Sequence, residues 1–157
     1  MGVIKAVCTS DIKGIQKTEQ AVIELRPNWG IEGDAHAAPW HRQVSLLPYE
    51  QIEAFKNRGA EVGHGAFGEN IIVEGFDLKS LPIGTRFVCN DVVLELTQIG
   101  KQCHAQCAIY HQMGDCIMPR EGVFCKVLAG GTIAPGDLIA VSYTHLRAHA
   151  TSQDLVC

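Results

Sequence analysis

At 157 residues the chain is long enough to bury one real core and short enough to form one domain. Its 46% hydrophobic and 19% charged residues exclude a disordered chain, and a net charge of −4 with no Lys/Arg block excludes the electrostatic footprint of nucleic-acid binding. No apolar run approaches the roughly 20 residues of a membrane helix, and the start, MGVIKAVCTSDIKG, lacks the apolar stretch and cleavage site of an export signal. The expectation is a cytoplasmic protein. Seven cysteines then read as free thiols in a reducing compartment, so that those close in sequence serve a metal, a reaction or the core.

Val3 to Cys8 reads as a first strand and Ala21 to Pro27 as a second. WGIEGDAHAAPWHRQ, rich in small and polar residues, predicts an ordered loop, and the apolar run Val44 to Leu47 a buried strand. Pro48 opens PYEQIEAFKNRG, where Ile52 and Phe55 share a helical face and Gly59 supplies a stop. GHGAFGEN predicts a second structured loop and NIIVEG a strand. A turn over residues 82–84 leads to a hairpin whose tight turn is Asn90-Asp91. GVFCKVLAGGTIAPGDLIAV reads as two strands joined by Gly130-Gly131, with a turn at Pro135-Gly136-Asp137. Seven or eight short strands with frequent glycine turns predict a mostly β, barrel-like fold with one or two short helices. The last stretch, YTHLRAHATSQDLVC, has no clear period and reads as a disordered or non-native tail. Its His145, His149 and Cys157 are therefore left out of any site.

Three stretches carry chemistry. In GIEGDAHAAPWHRQ, Asp34 and His36 stand two apart; such a pair orients an imidazole, supplies two metal ligands, or holds a loop through backbone N–H groups. Arg42, at the entry to a strand, suits a two-pronged grip on an anion. In GAFGENIIVEG, Gly65 and Gly68 permit a turn or a close approach to a ligand, and Glu69 and Asn70 either touch that ligand or close the loop on itself. No Gly-Lys-Ser/Thr follows, so this is not a nucleotide P-loop. GKQCHAQCAIYHQMGDC holds Cys103, Cys107 and Cys116 within fourteen residues, with His104 among them. Cys-x3-Cys falls within zinc-ligand spacing, yet only one compact pair exists. Three buried thiols is the plain reading. A reactive thiolate is the sharper one, with Lys101, His104 and Arg120 near in sequence to favour the charge.

Taken in order, GIEGDAHA, RQVSLL, GAFGENIIVEG, LPIGTRF, LELTQIGKQCHAQC, GDCIMPREGVFCKVLAGG and IAPGDLIAV resemble the MOSC domain, named for the C-terminal domain of molybdenum-cofactor sulfurases. The likeness is to small stand-alone bacterial members and covers residues 1–142, leaving 143–157 as the tail. It implies a β-barrel-like fold and a role with the molybdenum cofactor, either in sulfur transfer to it or as a small molybdenum-dependent reductase. The family's cysteine after the LELT strand, thought to carry a persulfide or ligate molybdenum, matches Cys107, with Cys103 close behind. Thiolate sulfur suits either task. The resemblance further implies that Arg42 and the loop at Gly68 take the pterin phosphate, and that Glu69 and Asn70 take the pterin, with Asp34 and His36 beside them. A cysteine desulfurase or a molybdoenzyme is the implied partner, since no lysine here sits in a context suited to pyridoxal phosphate. The alternative from another class is a non-enzymatic module with a structural zinc on Cys103, Cys107 and Cys116.

Overall fold

Side-chain alternation decides which residues of each strand enter the core, and slips of register decide where that alternation reverses. The computed structural model describes residues 2–13, 15–100 and 121–142. Among these, β1 spans Gly2–Thr9, β2 Thr18–Gln20, β3 Ile23–Arg26, β4 Gly30–Ile31 and β5 Val44–Pro48. Then come α1 (Tyr49–Asn57), β6 (Ile71–Glu74), a 3-10 turn (Leu78–Ser80), β7 (Arg86–Cys89), β8 (Val92–Ile99), β9 (Val123–Ala129), β10 (Gly131–Ile133) and β11 (Leu138–Ser142). No helix among the described residues is long and apolar enough to cross a membrane.

The strands β11, β7, β8, β9, β5, β6 and β1 follow one another around one sheet. That sheet closes where Gly2 and Val3 of β1 pair with Ile139 and Leu138 of β11. The result is a seven-strand barrel without a free edge along its staves. Six of the seven contacts around it are antiparallel; β5 and β6 run parallel, which requires a crossover between them, and α1 supplies it. β2 pairs with the far end of β1. A three-strand sheet, β10-β3-β4, adds Ile23, Leu25, Ile31 and Ile133 to the barrel core.

The register of β1 against β6 slips between Ile4 and Ala6. Strict alternation would put Ile4, Ala6 and Cys8 on one face. The bulge instead sends Ile4 and Val7 into the barrel, opposite Val73 and Ile71. It turns Ala6 and Cys8 outward, where they join Leu47, Ile72, Phe124 and the α1 residues Ile52 and Phe55 in a second core. One strand can thus be buried on both faces, and β5, with all five residues buried, is the same case.

The expected barrel, helix and Asn90-Asp91 hairpin are present. Cys89 pairs with Val92, and Asn90 takes the left-handed conformation (φ 55°) that such a turn needs. Three strands go beyond the expectation. β2 is exposed throughout and so shows no apolar period. β4 has two residues and falls within the expected loop. The stretch after Gly122 holds three strands rather than two, because the turn at Gly136 separates a short β10 from β11. Strands of two or three residues are too short to display a period.

The helix is held by its Phe55, which meets Phe67 edge to face at 5.6 Å between ring centres. Phe55→Ala is expected to lower stability by about 3–5 kcal/mol through lost burial and the cavity left behind. Urea unfolding followed by circular dichroism measures this, and a loss within the error of the fit would show that α1 contributes little to the outer core.

Candidate functional site

Three loops meet around one ion pair. The Asp34 carboxylate is fully buried, and the Lys17 side chain is 1% exposed. Lys17 Nζ stands 2.8 Å from Asp34 Oδ1, which also accepts the Ser10 N–H at 3.1 Å. Asp34 Oδ2 accepts the backbone N–H of His36 at 3.1 Å. Burial by itself would raise the Asp34 pKa. The polar contacts of His36 and Lys17, the Lys17 charge and the Ser10 N–H outweigh it and hold the carboxyl well below the usual range. Asp34 therefore holds the loop through backbone N–H groups. Lys17 Nζ also lies 3.0 Å from His36 Nδ1, and the His36 side chain is 30% exposed. Sequence reasoning missed Lys17, which stands in a polar run with nothing to distinguish it from a solvated lysine.

The backbone of Lys17 continues the link. Its N–H donates to Gly65 O at 2.9 Å, and a side chain at Gly65 would collide with the Lys17 carbonyl, its Cβ only 2.1 Å away. Glu69 shapes the same loop by accepting the N–H groups of Gly65 and Phe67, both at 3.0 Å. Burial pushes the Glu69 pKa up, against the pull of those N–H groups. Asn70 stitches three strands: Nδ2 donates to Cys8 O at 3.0 Å, and Oδ1 accepts Ser45 N–H at 3.0 Å. Glu69 and Asn70 were expected either to touch a ligand or to close the loop on itself. Both are buried with these internal partners, so what they do in this structure is close the loop. Gly68 has a positive φ of 81°, and a Cβ built on it would meet open space.

Arg42 lies on the outer face of β9, its guanidinium 5.1 Å from the centre of the Phe124 ring. Nε donates to Gln98 Oε1 at 3.0 Å, and Gln98 Nε2 donates to Gly100 O at 2.8 Å. Gly100 N–H donates to Gly122 O at 2.7 Å, so the two ends flanking positions 101–120 are fastened together. The β8–β9 register slips between Leu96 and Gln98. Thr97, the extra residue, donates its hydroxyl to the His41 carbonyl and draws the Arg42 loop against β8. Cys103 and Cys107, with Cys116, lie outside the described residues, as does the tail from 143.

Cys8, Cys89 and Cys125 are free and buried. Burial first, then neighbouring carboxylates, raises the Cys8 thiol to about 12 and the Cys89 thiol to about 11, and pushes Cys125 up as well. None of the three is a thiolate at neutral pH. No group of three or more His, Cys, Asp or Glu among the described residues is arranged to hold a metal. An open groove of about 380 Å³ is lined by Ser10, Ile15, Gln16, Thr18 and Gly33 among others, and Lys17, Asp34 and His36 are not part of its lining. A second, of about 310 Å³ between α1 and the end of β6, takes in none of the candidate residues.

The MOSC domain model matches residues 32–140, more than half of the chain. The chain belongs to the MOSC domain family. That family is linked to the molybdenum cofactor. The fold is similar to the crystal structure of the YuaD protein from Bacillus subtilis, with a TM-score of 0.73 at 20% identity over 90% of this chain and 96% of that one. It is also similar to YiiM from Geobacillus stearothermophilus (TM-score 0.61, 22% identity, 90% and 73% covered) and to YiiM from Escherichia coli (0.60, 16%, 89% and 69%). No curated protein sequence matches the chain significantly. Neither the MOSC fold nor the family match supports the zinc alternative.

Two outcomes follow from this geometry. Asp34→Asn leaves the Lys17 ammonium buried without its counter-charge and is expected to cost about 3 kcal/mol or more at neutral pH. Asp34 has a folded pKa below its ordinary 3.8, so its contribution is present above that pH and is lost as pH falls below it. The gap between wild type and variant should therefore narrow below pH 3.8 in paired thermal melts. A gap that stays constant through that range would refute the coupling. For the thiols, Cys8, Cys89 and Cys125 should resist a maleimide in the native protein at pH 7 and react on unfolding. Peptide mapping by mass reads each site, and native labelling of any of the three contradicts their burial.

Proposed function

We propose that this MOSC protein binds a molybdenum cofactor and that Cys107, or Cys103 beside it, is the thiol that meets it. The supporting observation is the state of the other cysteines. Cys8, Cys89 and Cys125 are buried with their thiols pushed up, which suits them poorly to this chemistry, and the likeness to the MOSC pattern puts the family's cysteine at Cys107. The Arg42–Gln98–Gly100 chain of hydrogen bonds runs to the base of that segment.

The donor groups fit an anionic pterin. The two terminal nitrogens of Arg42 make no hydrogen bond among the described residues and suit a phosphate. His36 is part-exposed at the edge of the Lys17–Asp34 pair, and Gly68 leaves space for a backbone approach. In this reading Glu69 and Asn70 hold the loop that Gly68 belongs to and do not contact the pterin themselves. When bound, the cofactor would supply the metal centre for sulfur or oxygen transfer.

Two activities fit. In a sulfur relay, the Cys107 thiolate attacks the terminal sulfur of a donor persulfide, the donor leaves as its thiolate, and Cys107 carries the new persulfide. A cysteine desulfurase would be the donor and a molybdoenzyme the recipient. In a small reductase, Cys107 would instead ligate the metal permanently.

Protein expressed in a cofactor-making host and analysed for metal and pterin tests the reading. Molybdenum and pterin at near one per chain are expected in wild type, with Cys107→Ser losing the metal and Arg42→Met losing most of both while remaining folded. Exposure to a persulfide donor separates the activities: a mass gain of one sulfur on Cys107 supports the relay. Absence of molybdenum, pterin and sulfur gain together would overturn the proposal, and stoichiometric zinc in their place would restore the structural module.

A further inference from the structure

The Lys17, Asp34 and His36 side chains raise a question that distances answer. His36 Nδ1 has two neighbours, Lys17 Nζ at 3.0 Å and Asp34 Oδ2 at 3.6 Å. The first is a hydrogen-bond distance and the second is not. An ammonium has three donors and no acceptor, so at 3.0 Å it must donate, and Nδ1 must offer a lone pair. One donor of Lys17 is already spent on Asp34 Oδ1 at 2.8 Å. With Lys17 Nζ donating to both Asp34 Oδ1 and His36 Nδ1, Nδ1 is the acceptor of the ring. The single proton of a neutral imidazole then resides on Nε2, which has no hydrogen-bond partner among the described residues on a ring that is 30% exposed.

We propose that Lys17 is a positioning residue that fixes His36 as a neutral donor, offering Nε2–H to an oxyanion oxygen of the site's ligand. A His36 in this state donates and does not act as a base. Three features hold the arrangement still. Asp34 Oδ2 takes the His36 backbone N–H, and the Trp40 indole donates to His36 O at 2.8 Å. The Lys17 backbone is clamped to Gly65, where only a glycine fits. The ligand half of the proposal rests on the molybdenum-cofactor reading, whose phosphate and metal-oxo groups are both oxyanion acceptors. The tautomer half does not.

Nitrogen-15 spectra of histidine-labelled protein, without cofactor, test it. Wild-type His36 should show one tautomer at neutral pH, with a protonated Nε2 and a bare Nδ1. A proton on Nδ1 overturns the proposal. Lys17→Met alone leaves a buried carboxylate and risks unfolding, so Lys17→Met with Asp34→Asn removes both charges, with the amide spectrum reporting the fold. The folded double variant should lose the single tautomer and show a mixture. An unchanged tautomer would show that Lys17 does not set it. Titration with inorganic phosphate and, separately, molybdate should move the His36 Nε2 signal in wild type, and that response should be lost in the double variant. The anion that moves it names the group bound, and no movement with either rejects the oxyanion. If cofactor loading fails while the tautomer holds, the functional reading fails and the role of Lys17 stands.

Discussion

A lysine and an aspartate, both stripped of water, hold the loops of this barrel in register with one another. Desolvating two such charges costs several kcal/mol each, repaid only when geometry is close and the remaining polar atoms find partners. Here they do. Asp34 gathers the N–H groups of Ser10 and His36 as well as Lys17. Lys17 reaches His36 through its side chain and Gly65 through its backbone. The loop after β1, the loop after β4 and the glycine loop before β6 therefore have one joint arrangement. An apolar pair could fill the same volume but would not specify the orientation of an imidazole. The pair's value lies in that directional constraint more than in net stability.

Two of the register slips in the barrel beneath fasten loops to its wall. The β1 bulge places Cys8 on the outer side, where its carbonyl receives Asn70 and its side chain joins the helix core. The β8 bulge frees Thr97 to hold the His41 carbonyl, and with it the loop that carries Arg42. Each bulge breaks the two-residue period of a strand and uses the break to fasten a loop from elsewhere in the chain. Glu69 and Asn70 work in the same way. Their position beside two glycines suggested either contact with a ligand or closure of the loop, and their internal hydrogen bonds make the closure.

What was legible in the chain depended on how local the cause was. The hairpin at Asn90-Asp91 and the helix through Ile52 and Phe55 announce themselves within a dozen residues, because a turn and an amphipathic face are local properties. Asp34 and His36 were visible as a pair; Asp34 takes backbone N–H groups of its loop, while the imidazole meets Lys17. Lys17 was not visible. Its meaning comes from a partner 17 positions away and from burial that composition does not foretell, since lysine is ordinarily exposed. Strands β2, β4 and β10 were hidden for a related reason: their pairing partners, not their side chains, make them strands.

The cysteines complete this division of labour. A thiol enclosed by apolar side chains and near carboxylates is chemically quiet, and Cys8, Cys89 and Cys125 are all of this kind. Cys8 and Cys125 face opposite sides of the barrel wall, one in the helix core and the other in the interior, so their quietness follows from packing on both faces. The other four cysteines, Cys103, Cys107, Cys116 and Cys157, lie outside the described residues. The β8–β9 connection carries three of them, and its two ends are pinned to each other by Gly100 and Gly122 and to Arg42 through Gln98. A reactive thiol on that connection would begin from a base already tied to a cation, which is the electrostatic setting a thiolate needs.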